Sequence, residues 1–154
     1  MEDKNTLIVK PPISGISRII LNEPKTYNAL SLNTIELLIK NFQKFNDDKN
    51  TKVIIIEGNG KGFSAGHNLK EIKSLKGKPK YKKLFNRCSD LMITIVNNKK
   101  PVIAKVHGAA FAAGCQLVAT CDLALSTEDA IFATPGVNIG LFCSTPMVAL
   151  SRNV

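Results

Sequence analysis

The sequence predicts an α/β fold. Short β-branched runs alternate with stretches in which apolar residues return at helical spacing. Two of the strand-like runs also end in loops of small residues that open a helix, at Gly58 to Asn68 and at His107 to Ala113. The 154 residues suffice for one domain, residues 1–154, with a real core.

Thr6 to Lys10 and Ile16 to Leu21 read as strands joined by Pro11-Pro12-Ile13-Ser14-Gly15. Asn33 to Glu36 has the spacing of a capping box, and Ile35, Leu38, Ile39, Phe42 and Phe45 follow on one helical face. Val53 to Glu57 is a buried strand by its β-branched run. A short helix is expected after Asn68, then a break at Gly77 to Pro79. Tyr81 to Val96 carries Leu84, Cys88, Leu91, Met92 and Ile95 on one face of a long helix. Val102 to Val106 reads as a strand, Ala113 to Thr120 as a helix and Leu123 to Ser126 as a strand. No sequence repeat and no low-complexity linker is visible.

The two junctions are where chemistry is expected. A strand that runs into tiny residues and then a helix leaves backbone N–H groups without partners at the helix start. Such groups bind an anionic oxygen. Two junctions facing one another form an oxyanion hole.

Composition narrows the partners. The net charge is +9, with 18 Lys against 3 Arg. Eight Lys fall between Lys61 and Lys83, where Glu71 is the only acid. That stretch either draws a polyanion or is a solvated face of a Lys-, Asn- and Ile-rich chain. RNA binding through Lys61 to Lys83 is an alternative function, with a weak signal because the stretch has no Arg and only Phe63 and Tyr81 as aromatics. Cys88, Cys115, Cys121 and Cys143 show no CxxC or disulfide spacing; three of the four sit in apolar surroundings and are expected as small core residues, and Cys143 is expected to pack in the core. Two His and no His/Cys/Asp cluster predict no metal. Met1 to Asn5 has neither a secretory nor an Arg-rich transit pattern, and no apolar run has membrane-spanning length. The cytoplasm is the expected location.

Four ordered motifs carry a family resemblance. Phe63-Ser64-Ala65-Gly66-His67-Asn68-Leu69-Lys70-Glu71 resembles the pattern F-x-A-G-x-D-L-K-E. His107-Gly108 through Gly114-Cys115-Gln116-Leu117 resembles H/N-G, small residues, G-C-E-L. Glu23-Pro24-Lys25-Thr26-Tyr27-Asn28-Ala29-Leu30 resembles R-P-x-x-x-N-A-L. Cys121-Asp122-Leu123-Ala124, then Phe132-Ala133-Thr134-Pro135, make the fourth. These are patterns of the crotonase superfamily of enoyl-CoA hydratases and isomerases. The run from Ala112 to Pro146 is most similar to the branch of enoyl-CoA hydratase domain-containing protein 3.

The resemblance implies a crotonase-like ββα superhelix. Members are longer, so it also implies a fragment lacking the C-terminal helical trimerisation region, and a homo-oligomer, trimer or hexamer, for a full-length chain. It implies an acyl-CoA thioester as partner, with coenzyme A entering as part of the substrate and no separate cofactor. The backbone N–H groups of His67 and Ala113 take the positions of the oxyanion hole, each donor contributing about 3 kcal/mol. The His67 imidazole either serves as an acid or base beside the thioester or turns away to line the CoA channel; a structural hydrogen bond is expected of His107. Lys25 and Lys70 stand where relatives contact CoA, and Ala65, Gly66, His67, Asn68 and Leu69 form its wall. The two proton-transferring glutamates of hydratases fall at Gln116 and Gly136, neither of which moves a proton. Thr134, Asn138, Cys143 and Ser144 are nearby in sequence, and none is an obvious base.

Overall fold

The computed structural model describes residues 6–154; the reading of Met1 to Asn5 lies outside the described residues. Strands β1 (Leu7–Ile13), β2 (Ile16–Leu21), β3 (Val53–Gly58), β5 (Val102–Val106) and β7 (Leu123–Ser126) form one sheet in the order β1-β2-β3-β5-β7. β1 runs antiparallel to β2, and the other neighbours are parallel. Three short strands, β4 (Gly62–Ser64), β6 (Ala109–Phe111) and β8 (Ile131–Ala133), form a second parallel sheet in the order β4-β6-β8.

Each later strand of the large sheet is followed at once by one of the small sheet and then by helix. β3 and β4 lead to α2 (Leu69–Ser74) and α3 (Lys78–Val96); β5 and β6 lead to α4 (Ala113–Thr120); β7 and β8 lead to α5 (Ser144–Asn153). These are three successive ββα turns, the superhelical architecture that the motifs imply. The repeat is structural, and its strands share no visible sequence pattern.

Two strand-level expectations shift. The first hairpin is tighter than read: β1 continues through Pro11 and Pro12 to Ile13. Lys10 pairs with Arg18 and Ile13 with Ile16, so β1 carries one extra residue at the prolines. Proline lacks the donor a ladder needs, and an edge strand tolerates it at such a bulge. The turn is Ser14-Gly15 alone, with φ of 52° and 85°, as a two-residue hairpin requires. The short strands β4, β6 and β8 were not anticipated, because three residues carry too little pattern.

Helix α1 (Leu32–Asp47) starts earlier than the expected capping box. Ser31 is the N-cap, its Oγ accepting from the Thr34 N–H at 3.1 Å. The buried face is the expected one, Ile35, Leu38, Ile39, Phe42 and Phe45. Helix α3 begins at Lys78 because Pro79 is welcome in a first turn, and Gly77, at φ 83°, makes the break. Leu84, Cys88, Leu91, Met92 and Ile95 are buried as expected. These faces close one core with Ile19, Leu21, Ile54, Ile56, Val102, Ala104 and Val106 from the sheet. The last segment differs: Leu123, Leu125, Ile131, Phe132, Ile139 and Phe142 are exposed.

Candidate functional site

The loop after β3 is held by Asn28. This residue sits at φ 53°, a conformation Asn tolerates better than most, with only 2% of its surface exposed. Its Nδ2 donates to the carbonyls of Asn59 (2.9 Å), Gly62 (2.9 Å) and Phe63 (3.1 Å). Its Oδ1 accepts from the Glu23 N–H at 2.9 Å. Ser64 Oγ donates to the Asn28 carbonyl and accepts from the Gly66 N–H. The Asn28 side chain thus ties the 3-10 turn Pro24–Thr26 to the Gly-spaced loop and to β4.

The next residues are laced to the same segment. Ala65 N–H donates to the Tyr27 carbonyl, Leu30 N–H to Gly66, and Asn68 N–H to Leu30. Alternate peptide groups of extended backbone point to opposite sides. With the Gly66 carbonyl and the Asn68 N–H turned toward Leu30, the His67 N–H faces the other way. Asn68 then caps α2, its Oδ1 accepting from the Glu71 N–H at 3.1 Å. Glu71 reaches across to accept the Leu32 N–H at the start of α1.

The second junction meets the first there. Ala112 has φ 49° and ψ −119°, which is glycine territory, and its N–H donates to Ala133 in β8. α4 begins at Ala113, as expected. A Cβ on Gly66 would lie 3.0 Å from the Ala113 nitrogen, and one on Gly114 would lie 2.3 Å from the Ser64 carbonyl. Glycine at both positions is what lets the two loops touch. Among the described residues, neither the His67 N–H nor the Ala113 N–H has a hydrogen-bond acceptor.

The side chains are placed as follows. The half-buried His67 ring stands edge-on to Phe85 of α3, centroids 5.4 Å apart and planes at 87°. Its Nδ1 is shielded from solvent and unpartnered. Burial lowers its pKa below the usual 6.5, against a smaller opposing effect of the Leu30 backbone. His107 Nε2 donates to the Gly60 carbonyl at 2.8 Å, the structural bond expected of it. Gln116, in the first turn of α4, is 6% exposed, and its Oε1 lacks a partner.

Gly136 lies in the 3-10 turn Pro135–Ile139, where a Cβ would approach Cys143 Sγ to 2.6 Å. Cys143 is half-buried, a correction to its expected core position, because it forms the N-cap of α5 at the edge of the packed region. Cys88, Cys115 and Cys121 are buried and free; burial pushes the Cys88 thiol up to about 11. Lys25, Ala65, Leu69 and Lys70 are exposed. So are all eight Lys from Lys61 to Lys83, none in a salt bridge among the described residues. Sequence reasoning singled out neither the anchoring side chain of Asn28 nor Phe85; the first was signalled by an Asn beside a turn. Among the described residues no group of His, Cys, Asp and Glu is arranged for a metal ion, and no helix is long and apolar enough to cross a membrane.

Two glycine-opened strand–helix junctions on a ββα superhelix define a class of protein, and comparison with known proteins agrees. Residues 13–154 match the family described as enoyl-CoA hydratase/isomerase, and the chain belongs to that family. It is 49% identical over 152 residues to the mitochondrial enoyl-CoA hydratase domain-containing protein 3 of Danio rerio, covering 99% of this chain and 53% of that protein. The Xenopus laevis protein of the same name is 54% identical, over 91% of this chain and 48% of its own length. The chain thus spans about half the length of these relatives. The crystal structure of an enoyl-CoA hydratase from Mycobacterium smegmatis superposes with a TM-score of 0.92 at 48% identity, covering 97% of this chain and 58% of that one. The expected cytoplasmic location is overturned, since these relatives are named mitochondrial.

Proposed function

We propose that the chain binds acyl-CoA thioesters and holds the thioester carbonyl oxygen between the N–H groups of His67 and Ala113. The observation that carries this is the contact of the two junctions, Gly66 against Ala113, with both N–H groups free of protein acceptors. The positive end of the α4 dipole adds to the Ala113 donor. Where the thioester becomes enolate-like the carbonyl oxygen gains charge, and preorganised donors stabilise it there by about 3 kcal/mol each. Backbone donors tolerate side-chain change, so His67 and Ala113 suit the role whatever their side chains. Lys25, Lys70 and the wall from Ala65 to Leu69 receive the coenzyme A part, and the exposure of Lys25, Ala65, Leu69 and Lys70 supports this. Asn68 contributes there by shaping the wall, its side chain being engaged in the helix cap.

The reaction class is enoyl-CoA hydratase/isomerase-like, with hydration the least supported member. Gln116 and Gly136 offer no general acid or base, groups that typically contribute about 10² to 10⁴ in rate. A non-catalytic acyl-CoA-binding protein is the second reading, favoured by the same two residues. For the longer protein we propose a homo-oligomer, trimer or hexamer; exposed Leu125, Ile131, Phe132 and Phe142 support association of this region.

The test is equilibrium binding of two acyl-CoA analogues, one keeping a carbonyl in ketone form and one with the carbonyl reduced to methylene, with free CoA as reference. The ketone is expected to bind best. Equal binding of the two analogues sinks the oxyanion role, and no gain over free CoA sinks the acyl-CoA reading. Turnover of an enoyl-CoA by the purified chain sinks the non-catalytic reading.

A further inference from the structure

A cavity of about 260 Å³ opens where α3, α4 and α5 meet, with Gln116 in its wall. Met92 and Val96 of α3 give it an apolar side, and Thr145 and Arg152 of α5 a polar one. Arg152 is the only charged residue lining it and is in no salt bridge among the described residues. Gln116 brings an amide whose Oε1 is buried without a partner.

Ala113, Gln116 and Thr120 stand at i, i+3 and i+7 of α4, on one face of the helix. Gln116 and Thr120 both line the cavity. Ala113 is not among the lining residues; Gln116, one helical turn further on, links its face of α4 to the cavity wall. On the thioester reading, an acyl chain whose carbonyl meets the Ala113 N–H reaches the cavity past Gln116. The volume lies below the range of roughly 300–1,000 Å³ typical of drug-sized ligands, so the group admitted is short. The apolar wall takes methylenes. An unpaired guanidinium takes a carboxylate, and a Gln amide donates to the same group from its Nε2.

We propose that the acyl group received here is a short dicarboxylic acid carried as its mono-thioester, with Arg152 at the rim holding the free carboxylate. This rests on the thioester reading above. It assigns Arg152 as the residue that selects the substrate class and Gln116 as its partner in the wall.

Glutaryl-CoA and pentanoyl-CoA have equal chain lengths and differ by the terminal carboxylate. Each is titrated calorimetrically into the full chain and into Arg152→Met, with free CoA as reference. Glutaryl-CoA is expected to bind about tenfold more tightly than pentanoyl-CoA, the size of one charge-assisted contact. Because the chain carries +9, an added anion gains some affinity anywhere on it, and the substitution separates that general effect. Arg152→Met is expected to remove the glutaryl preference and leave pentanoyl-CoA binding unchanged. Equal affinities in the unsubstituted chain, or a preference that survives Arg152→Met, overturn the proposal; the thioester reading stands as long as both thioesters outbind free CoA. If neither outbinds free CoA, the thioester reading fails and takes this one with it.

Discussion

Gly136 and Cys143 occupy each other's space: a Cβ on Gly136 would sit 2.6 Å from Cys143 Sγ and 3.0 Å from the Leu141 carbonyl. The family resemblance implies a hydratase glutamate's position at Gly136, and the contact leaves no room there for a side chain in this arrangement. Restoring the glutamate is a steric problem before it is a chemical one. Gly136→Ala is expected to destabilise by about 1–3 kcal/mol through overpacking. Cys143→Ala removes the nearest clash, and the double variant is expected to recover a good part of that loss. Urea unfolding of the two singles and the double gives the coupling directly; additive effects would show that the two residues do not compete.

Asn28 is the anchor of the first junction. Its amide donates to three carbonyls of the loop that ends at Gly66 and accepts the N–H of Glu23, beside the Pro24–Thr26 turn. Asn28→Ala leaves buried backbone groups without partners, at about 1–3 kcal/mol for each, and places Ala at positive φ. A loss of roughly 3 kcal/mol or more is expected in denaturant unfolding. Acyl-CoA binding is expected to weaken by more than the fraction unfolded accounts for, because the loop shifts in the folded molecule. A loss under 1 kcal/mol would show that water replaces the amide at no great cost.

The strands and helices legible in the sequence were those with long pattern. The apolar faces of α1 and α3 and both limits of α4 are found where periodicity puts them. What was missed is decided by neighbours. Gly62–Ser64 becomes a strand because Ala109 and Ala110 lie beside it, and no local propensity announces that. Ser31 rather than Asn33 caps α1, since the preceding residues at Leu30 are fixed by the bond to Gly66. The site divides in the same way. Which residues stand at the junctions was readable from motif order, whereas the contact of Gly66 with Ala113 joins residues far apart in sequence and has no local signal. The cavity at Gln116 depends on α5, whose helical pattern was not read at all.

Ala112 is a strained residue at the second junction. Its φ of 49° and ψ of −119° suit glycine, and an L-residue there costs on the order of 1–3 kcal/mol. Ala112→Gly is expected to relieve part of this, raising stability by about 1 kcal/mol after the greater entropy of the unfolded glycine chain is deducted. Thermal and urea unfolding check the sign. Destabilisation would mean that the Ala112 methyl, which a Cβ on Gly66 would meet at 3.0 Å, contributes packing worth more than the strain.

His67 sets an acid limit to stability, and the thiols an alkaline one. Burial depresses the folded pKa of His67 below 6.5, the ordinary imidazole value that the unfolded chain keeps. Below 6.5 the unfolded state therefore binds the proton that the folded state refuses. Stability is complete above 6.5 and falls as pH drops from there toward the lowered folded value. Asp48, whose pKa is lowered from 3.8 by its bond to Thr51, acts only further down. The Cys88 thiol is raised from 9.0 to about 11, so between these values the unfolded chain loses a proton that the folded chain keeps, and stability falls as pH rises. His67→Gln is expected to flatten the profile between pH 5 and 6.5 while leaving the alkaline limb intact. Cys88→Ala is expected to soften the alkaline limb and leave the acid one. Unfolding free energies measured across pH 5 to 10 for the three proteins decide it; an acid limb unchanged in His67→Gln would mean that the imidazole titrates in the folded chain as it does in the unfolded one.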